Sequence, residues 1–313
     1  MNNKVAMMKQ EIGKAIIGKE AVIEKILAAI LAEGHILLDD IPGVGKTTLA
    51  LAFTKTMGLA FKRVQFTPDV VPSDITGFSM YDKQSGSFQY NPGAAMCNFL
   101  LADEINRTSS KTQSALLEVM AEGRVTVDGI THQLPQPFVV MATQNPIGTV
   151  GTQSLPEAQL DRFMLQLSMG YPTFEQQVEI LMDRHREDPL HQIEQILTAE
   201  ELEEMIAEVK EVYVDKKIYI YITALTEATR NSAYIKLGVS PRGALALASI
   251  VKAEAYLQGR TYVTPEDVDK FFVDVCKHRL LLHPKAQLED KTKETVLEEI
   301  LAATEAPKVE AKA

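Results

Sequence analysis

The stretch Asp40-Ile-Pro-Gly43-Val-Gly45-Lys46-Thr47-Thr48 follows a short apolar run, His35-Ile-Leu-Leu-Asp39, and opens a segment with helical spacing that reaches Met57. A glycine-bearing turn between a buried strand and a helix is what a phosphate-binding loop requires. Pro42 and Gly43 shape the turn. Gly45 lets the main chain come close enough for successive N–H groups to face phosphate oxygens, with the positive end of the helix behind them. Lys46 is placed to bridge β- and γ-phosphates and Thr47 to offer its hydroxyl to Mg²⁺, with Val44 and Thr48 in the same binding set. The loop departs from G-x-x-x-x-G-K-[ST] at one position, because Asp40 stands where the first glycine is expected.

Other strand ends supply the partners such a loop needs. Asn98-Phe-Leu-Leu-Ala-Asp103-Glu104 is an apolar strand ending in two acids. Successive residues leave a strand in opposite directions, so the two carboxylates have different tasks. Asp103 is expected to hold Mg²⁺ through water, and Glu104 to polarise an attacking water. A base for water points to hydrolysis over transfer to a bound acceptor. Ala142-Thr-Gln-Asn145-Pro ends a third strand, which brings the Asn145 amide to the same sheet edge. Leu155-Pro-Glu-Ala-Gln-Leu-Asp161-Arg162-Phe163 puts an arginine at the end of a short helix. Arg162 reads either as a surface salt bridge to Asp161 or as a finger for a phosphate on a neighbouring subunit. Ser240-Pro-Arg242-Gly243 opens a later helix from which Arg242 can reach back over a nucleotide.

Around these motifs the first half alternates helix and strand, the grammar of a parallel sheet covered on both faces. Helices are predicted over Glu20–Leu31, Gly45–Met57 and Lys111–Ala121. Strands are predicted at His35–Asp39, Lys62–Phe66, Asn98–Ala102, Phe138–Thr143 and Met164–Ser168. Two hairpins interrupt the alternation: Gly77–Gly93, which turns at Gly-Ser, and Arg124–His132, which turns at Asp128-Gly129. From Tyr171-Pro172 onward the pattern is all-helical. Thr173-x-x-Gln176, Thr198-x-x-Glu201 and Thr264-Pro-Glu-Asp267 read as helix-starting capping boxes. The run Ile218-Tyr-Ile-Tyr-Ile222 is assigned to a helix because Leu225, Ala228 and Thr229 continue its face. The expected organisation is an α/β nucleotide-binding core over 1–171, a linker over 172–190, an α-helical unit over 191–303 and a flexible tail over 304–313.

Composition narrows the class. The 313 residues are 46% hydrophobic and 24% charged, an ordinary globular balance. No apolar run approaches the roughly 20 residues that span a bilayer, and the N-terminus lacks a secretory pattern, so a cytoplasmic protein is expected. Cys97 and Cys276 form neither a metal motif nor a disulfide framework, and the six histidines show no ligand spacing. The net charge is −10, and it is uneven: 14 Lys and Arg face 16 Asp and Glu over 1–171, against 18 and 26 over 172–313. Nucleic-acid binding through clustered basic residues is disfavoured.

The order of phosphate loop, Asp-Glu strand, Thr-Gln-Asn-Pro, Leu-Asp-Arg-Phe and Ser-Pro-Arg resembles that of the AAA+ ATPases. The words Gln65-Phe-Thr-Pro-Asp-Val-Val-Pro-Ser-Asp-Ile-Thr-Gly77, Ala102-Asp-Glu-Ile-Asn-Arg-Thr108, Lys111-Thr-Gln-Ser-Ala-Leu-Leu-Glu118 and Gly259-Arg-Thr-Tyr-Val-Thr-Pro-Glu-Asp267 resemble the MoxR-type subfamily, in the magnesium-chelatase and MCM-like branch. The resemblance covers about Ile16 to His283. It implies a P-loop three-layer αβα core with two inserted hairpins and an all-α lid. It also implies ATP and Mg²⁺ as ligands, and an aspartate tolerated at position 40. By the same resemblance Asp103 and Glu104 are the Walker B pair, Asn145 is sensor 1, Arg162 the arginine finger and Arg242 sensor 2, in cis or in trans. Ile17 and Gly18 match the adenine-contacting segment. A ring, commonly a hexamer, is implied, with ATP between subunits. So is a chaperone-like role on a client complex, often beside a von Willebrand factor A domain protein. A magnesium-chelatase-like motor subunit and a nucleic-acid motor of the MCM type are the alternatives; the second calls for basic hairpin tips, which Asp82-Lys83-Gln84-Ser85 and Asp128-Gly129 do not provide.

Overall fold

The computed structural model describes residues 2–145, 155–183 and 188–308. In chain order, α1 (Asn2–Ala15) and α2 (Glu20–Leu31) lead to β1 (Ile36–Asp39), α3 (Lys46–Thr56), β2 (Phe61–Gln65) and α4 (Pro72–Thr76). The hairpin β3 (Gly77–Asp82) and β4 (Ser87–Pro92) precedes β5 (Phe99–Asp103) and α5 (Ser110–Glu122). A second hairpin, β6 (Arg124–Val127) and β7 (Ile130–Gln133), precedes β8 (Val139–Gln144), α6 (Glu157–Leu160) and β9 (Leu165–Leu167). The remainder comprises α7 (Phe174–Asp183), α8 (Ala199–Lys210), α9 (Lys216–Asn231), β10 (Ile235–Leu237), α10 (Pro241–Leu257), α11 (Pro265–Cys276), β11 (Leu281–Leu282), α12 (Pro284–Leu288) and α13 (Lys293–Ala303).

The five long-range strands pair in parallel in the order β2-β5-β8-β1-β9. Their apolar runs alternate between two cores. Ile36, Leu38, Phe99, Leu101, Val139 and Met141 pack on the side of α1, α2 and α3. Leu37, Leu100, Ala102, Val140 and Ala142 pack on the side of α4 and α5, with Ile75, Leu116 and Leu117. A strand buried on both faces needs no polar alternation, which is why these segments are continuously apolar. Both expected hairpins form, and Asp128 adopts the left-handed backbone its turn requires.

The helical half shares the first core. α10 packs on α2 and α11, and Leu247, Ile250, Val251, Phe271 and Phe272 are fully buried. The three capping boxes are in place: Thr173 with Gln176, Thr198 with Glu201, and Thr264 with Asp267. Asp267 also forms a two-pronged ion pair with Arg260 at 2.8 and 2.5 Å, so this stretch of the resemblance ties the connection after α10 to the first turn of α11. The apolar run at Ile218 is helical, as expected.

Three expectations need correction. A helix, α1, precedes the one expected to be first; it buries Val5, Met8, Ile12 and Ala15 along one stripe. The C-terminal half is not purely helical, because β10 and β11 pair as a short antiparallel ribbon. The span 172–190, read as a linker, carries α7. In the tail, 309–313 lie outside the described residues.

Candidate active site

The loop after β1 runs into α3 through two left-handed glycines, Gly43 (φ 87°) and Gly45 (φ 95°). Gly45 is the N-cap of α3 and no side chain caps its first turn. Those N–H groups therefore face outward at the positive end of an eleven-residue helix, an arrangement suited to anions. Lys46 is buried and its Nζ donates to the carbonyls of Asp40 (2.8 Å) and Ile41 (3.4 Å), folding the ammonium under the loop. Burial pulls its pKa below the ordinary lysine value, while the carboxylates of Asp40, Asp103, Glu104 and Asp39 oppose that shift.

Asp40 gains a role from the structure. Its carboxylate accepts hydrogen bonds from Ser168 Oγ (2.7 Å), Met169 N (2.6 Å) and Gly170 N (3.0 Å), just beyond β9. The position where glycine is expected thus ties the phosphate loop to the chain leaving the sheet.

Opposite the loop, the ends of β5 and β8 interlock. Thr143 Oγ1 donates to Asp103 Oδ1 at 2.6 Å and accepts from Glu104 N at 2.9 Å, so one hydroxyl orients both acids. Asp103 also takes Arg63 Nη2 at 2.7 Å. Glu104 sits just past the strand in the left-handed region (φ 58°), which costs a non-glycine residue roughly 1–2 kcal/mol. Its carboxylate is surrounded by donors: Asn145 Nδ2 (2.9 Å), Gln65 Nε2 (2.8 Å) and Arg107 Nη1 (2.8 Å). Burial alone would raise its pKa, but the Arg107 and Asn145 hydrogen bonds outweigh burial and hold it below the usual carboxylate range. Asn145 is itself fixed by a reciprocal pair of bonds with Asn106. Pro146, which follows it, lies outside the described residues.

Two clefts meet across the loop. A polar one of about 380 Å³ is lined by Lys46, Thr47, Thr48, Arg63, Gln65, Asp103, Glu104 and Asn145. A more apolar one of about 260 Å³ is lined by Ile16, Ile17, Val44, Met169, Tyr171, Pro172 and Ile180. Pro42, Gly43 and Gly45 border both. Gly18 stands between two lining residues, Ile17 and Lys19, without lining the cleft itself, and its carbonyl accepts Gln176 Nε2. Sequence reasoning gave no site role to Arg63, Gln65 or Arg107; Gln65 and Arg107 stand inside words that carry the family resemblance, Arg63 in none, and all three reach the site through strand pairing and a tight turn.

The structure does not bring Arg162 or Arg242 to these clefts. Arg162 Nη1 donates to Leu117 O (2.6 Å) on α5, and Arg242 is exposed at the start of α10. Asp161, weighed as a partner for Arg162, pairs instead with Arg279 at 2.8 Å. Among the described residues no group of three or more His, Cys, Asp or Glu could hold a metal; His185 lies outside those residues.

A phosphate loop, paired acids and a polar strand-end side chain above a parallel sheet define a nucleotide-hydrolysing P-loop protein. Residues 35–165 match the family model of the ATPase family associated with various cellular activities (AAA), and residues 227–300 match that of the AAA lid domain. The chain is 38% identical over 310 residues to chaperone MoxR1 of Mycobacterium tuberculosis, covering 96% of this chain and 82% of that protein. It is 47% identical to the uncharacterized protein YeaC of Bacillus subtilis, covering 95% and 93%. A crystal structure of a protein from Cytophaga hutchinsonii assigned as an ATPase superposes with a TM-score of 0.91 at 37% identity, covering 98% and 96% of the two chains. The chain belongs to the MoxR-type AAA+ family and is an ATPase. No helix among the described residues is long and apolar enough to cross a membrane.

Proposed function

We propose that this ATPase uses Mg²⁺ and works as a cytoplasmic ring, a hexamer, in which ATP hydrolysis between subunits drives remodelling or maturation of a partner protein complex. The observation that carries the catalytic part is the convergence of Lys46, Thr47, Asp103, Glu104 and Asn145 on one cleft at the ends of three adjacent strands. The residues fit Mg·ATP. An uncapped helix N-terminus and a buried ammonium suit a triphosphate, and the adjoining apolar cleft beside Ile17 suits a base. Mg²⁺ takes one or two protein groups plus phosphate oxygens, and the Thr47 hydroxyl and the Asp103 carboxylate line the same polar cleft as the phosphate loop. Thr47 and Asp103 would hold Mg²⁺, the latter through water, and the ion when bound would neutralise charge on the phosphates. Lys46 turns from the loop carbonyls to the phosphates. Glu104 polarises water once it exchanges one of its present donors, and Asn145 keeps the carboxylate aimed. Arg162 completes the site of the adjacent subunit as its finger.

A protein client, alone or presented by a von Willebrand factor A domain partner, is favoured by the hairpins. Phe78, Met80, Tyr81 and Phe88 on β3 and β4, and Ile130 on β7, are all exposed, an apolar rather than a basic surface. MoxR1 is named a chaperone, which agrees with this reading. The test is ATP turnover per subunit across protein concentrations, with light scattering on the same samples, for the wild type, Glu104→Gln and Arg162→Ala. Turnover that rises with assembly, and variants that bind ATP yet lose about 10² to 10⁵ in rate, support it. A dilute monomer active at full rate, with Arg162→Ala retaining that rate, sinks it.

A further inference from the structure

Arg279 is 4% exposed, and the site described above makes no use of it. Nε donates to Asp161 Oδ1 (2.8 Å), Nη2 to the carbonyls of Phe163 (2.6 Å) and Asp161 (3.3 Å), and Nη1 to the carbonyls of Met164 (3.2 Å) and Val275. Four of these acceptors belong to residues 161–164, so one guanidinium grips the chain on both sides of Arg162. His278 adds a contact from its Nε2 to Phe163 O at 3.0 Å. Ser240 Oγ donates to Asp161 Oδ2 at 2.9 Å and accepts from Gly243 N at 3.2 Å, which joins the grip to the first turn of α10. A Cβ built on Gly243 would lie 2.8 Å from Arg279 Cδ, so that turn rests directly on the buried arginine.

A buried ion pair is weak evidence for stability, since well-packed apolar residues serve that end as well. What a five-donor planar fork supplies is direction: it fixes several carbonyls at once in a geometry a lysine cannot reproduce. We propose that Arg279 is a positioning residue for Arg162. Through Asp161 and the flanking carbonyls it sets the direction in which Arg162 leaves the subunit, and through Ser240 it joins Arg162 and the helix bearing Arg242 into one rigid unit. The proposal rests on the reading of Arg162 as a finger acting on ATP held by the adjacent subunit.

The test uses full-length mixed assemblies. Arg279→Lys is expected to lower kcat about 10²-fold, the penalty of a small misplacement, while KM and ATP binding stay near wild type. Glu104→Gln subunits lack their own hydrolysis but carry an intact finger, so mixing them with Arg162→Ala should restore turnover. In a randomly assembled equimolar ring, about one site in four then pairs an intact site with an intact finger. Arg279→Lys mixed with Glu104→Gln should recover to the same level, and mixed with Arg162→Ala it should not. Asp161→Asn, which keeps the side chain's shape, is carried through the same mixtures and decides the matter if Arg279→Lys fails to assemble. Recovery of Arg162→Ala without recovery of the Arg279 or Asp161 variant overturns the positioning role and leaves the finger standing. Absence of recovery for Arg162→Ala itself overturns the finger and the positioning role together.

Discussion

Replacing Asp40 by glycine restores the usual first residue of a phosphate loop, and the structure says that this repair should damage the protein. The Asp40 carboxylate accepts from Met169 N at 2.6 Å, Gly170 N at 3.0 Å and Ser168 Oγ at 2.7 Å, and the residue is 4% exposed. Glycine leaves two backbone N–H groups without an acceptor, at roughly 1–3 kcal/mol each, and adds chain entropy to the unfolded state. Ser168 is exposed, so its hydroxyl turns to water at little cost. The sum is about 3–5 kcal/mol for Asp40→Gly. Asp40→Asn keeps an acceptor oxygen but loses charge assistance and turns a donor toward a donor, for about 1–3 kcal/mol. At a few degrees per kcal/mol for a chain of this size, Asp40→Gly should melt roughly 5–15 °C lower, with Asp40→Asn between it and the wild type. Urea unfolding gives the free energies, and ATP titration of the folded variants reports whether the loop has loosened. If Asp40→Gly matched the wild type in both measurements, the clamp between the loop and the chain after β9 would have no energetic content.

Three further outcomes follow from the site and the core. Arg107→Ala should shift the acid limb of the kcat profile to higher pH. Glu104 is now held below the usual carboxylate range and so stays ionised in acid, and losing the arginine raises its pKa; the stability this pair contributes is present above the unfolded carboxylate's pKa and fades as pH falls through the folded value. Gly45→Ala should weaken ATP binding and cost roughly 1–2 kcal/mol of stability, since among the described residues the nearest atom, Met169 Cε, is 4.0 Å from an added Cβ and the penalty lies in the backbone at φ 95°. Burial pushes the thiols of Cys97 and Cys276 up to about 11 and about 12. A chromogenic disulfide reagent should therefore find neither in the native protein and both in urea; fast native labelling of Cys276 would contradict its packing.

What the sequence could reveal was whatever is encoded locally. The apolar runs of β1, β5 and β8, the Asp-Gly turn at Asp128 and the capping threonines each announce themselves within a few residues, and the structure has them in place. The stripe Val5, Met8, Ile12, Ala15 was equally local; helical spacing alone marks α1. β10 and β11, at three and two residues, are too short to alternate and exist only because their partners arrive from far along the chain. Arg279 follows Lys277 and His278 and looks like part of a charged surface, yet its partner Asp161 lies 118 residues away. Gln65 and Arg63 reach Glu104 and Asp103 because β2 pairs with β5 in a register that no local pattern specifies. Asp40 read as a departure because its three donors lie beyond the last strand of the sheet.

The strand order has a consequence for synthesis. β1, which delivers the phosphate loop, has no sheet neighbour close to it in sequence: Ile36 pairs with Met141 on one side and Leu165 on the other. A chain emerging N-terminus first thus makes its loop early but has nowhere to dock it until β8 and β9 have left the ribosome, and pairings this distant are slow to close. Nascent chains halted before β8 should be blind to nucleotide and should lean on holding chaperones, whereas those extended past Met169 and Gly170 acquire the loop and its Asp40 anchor in one step.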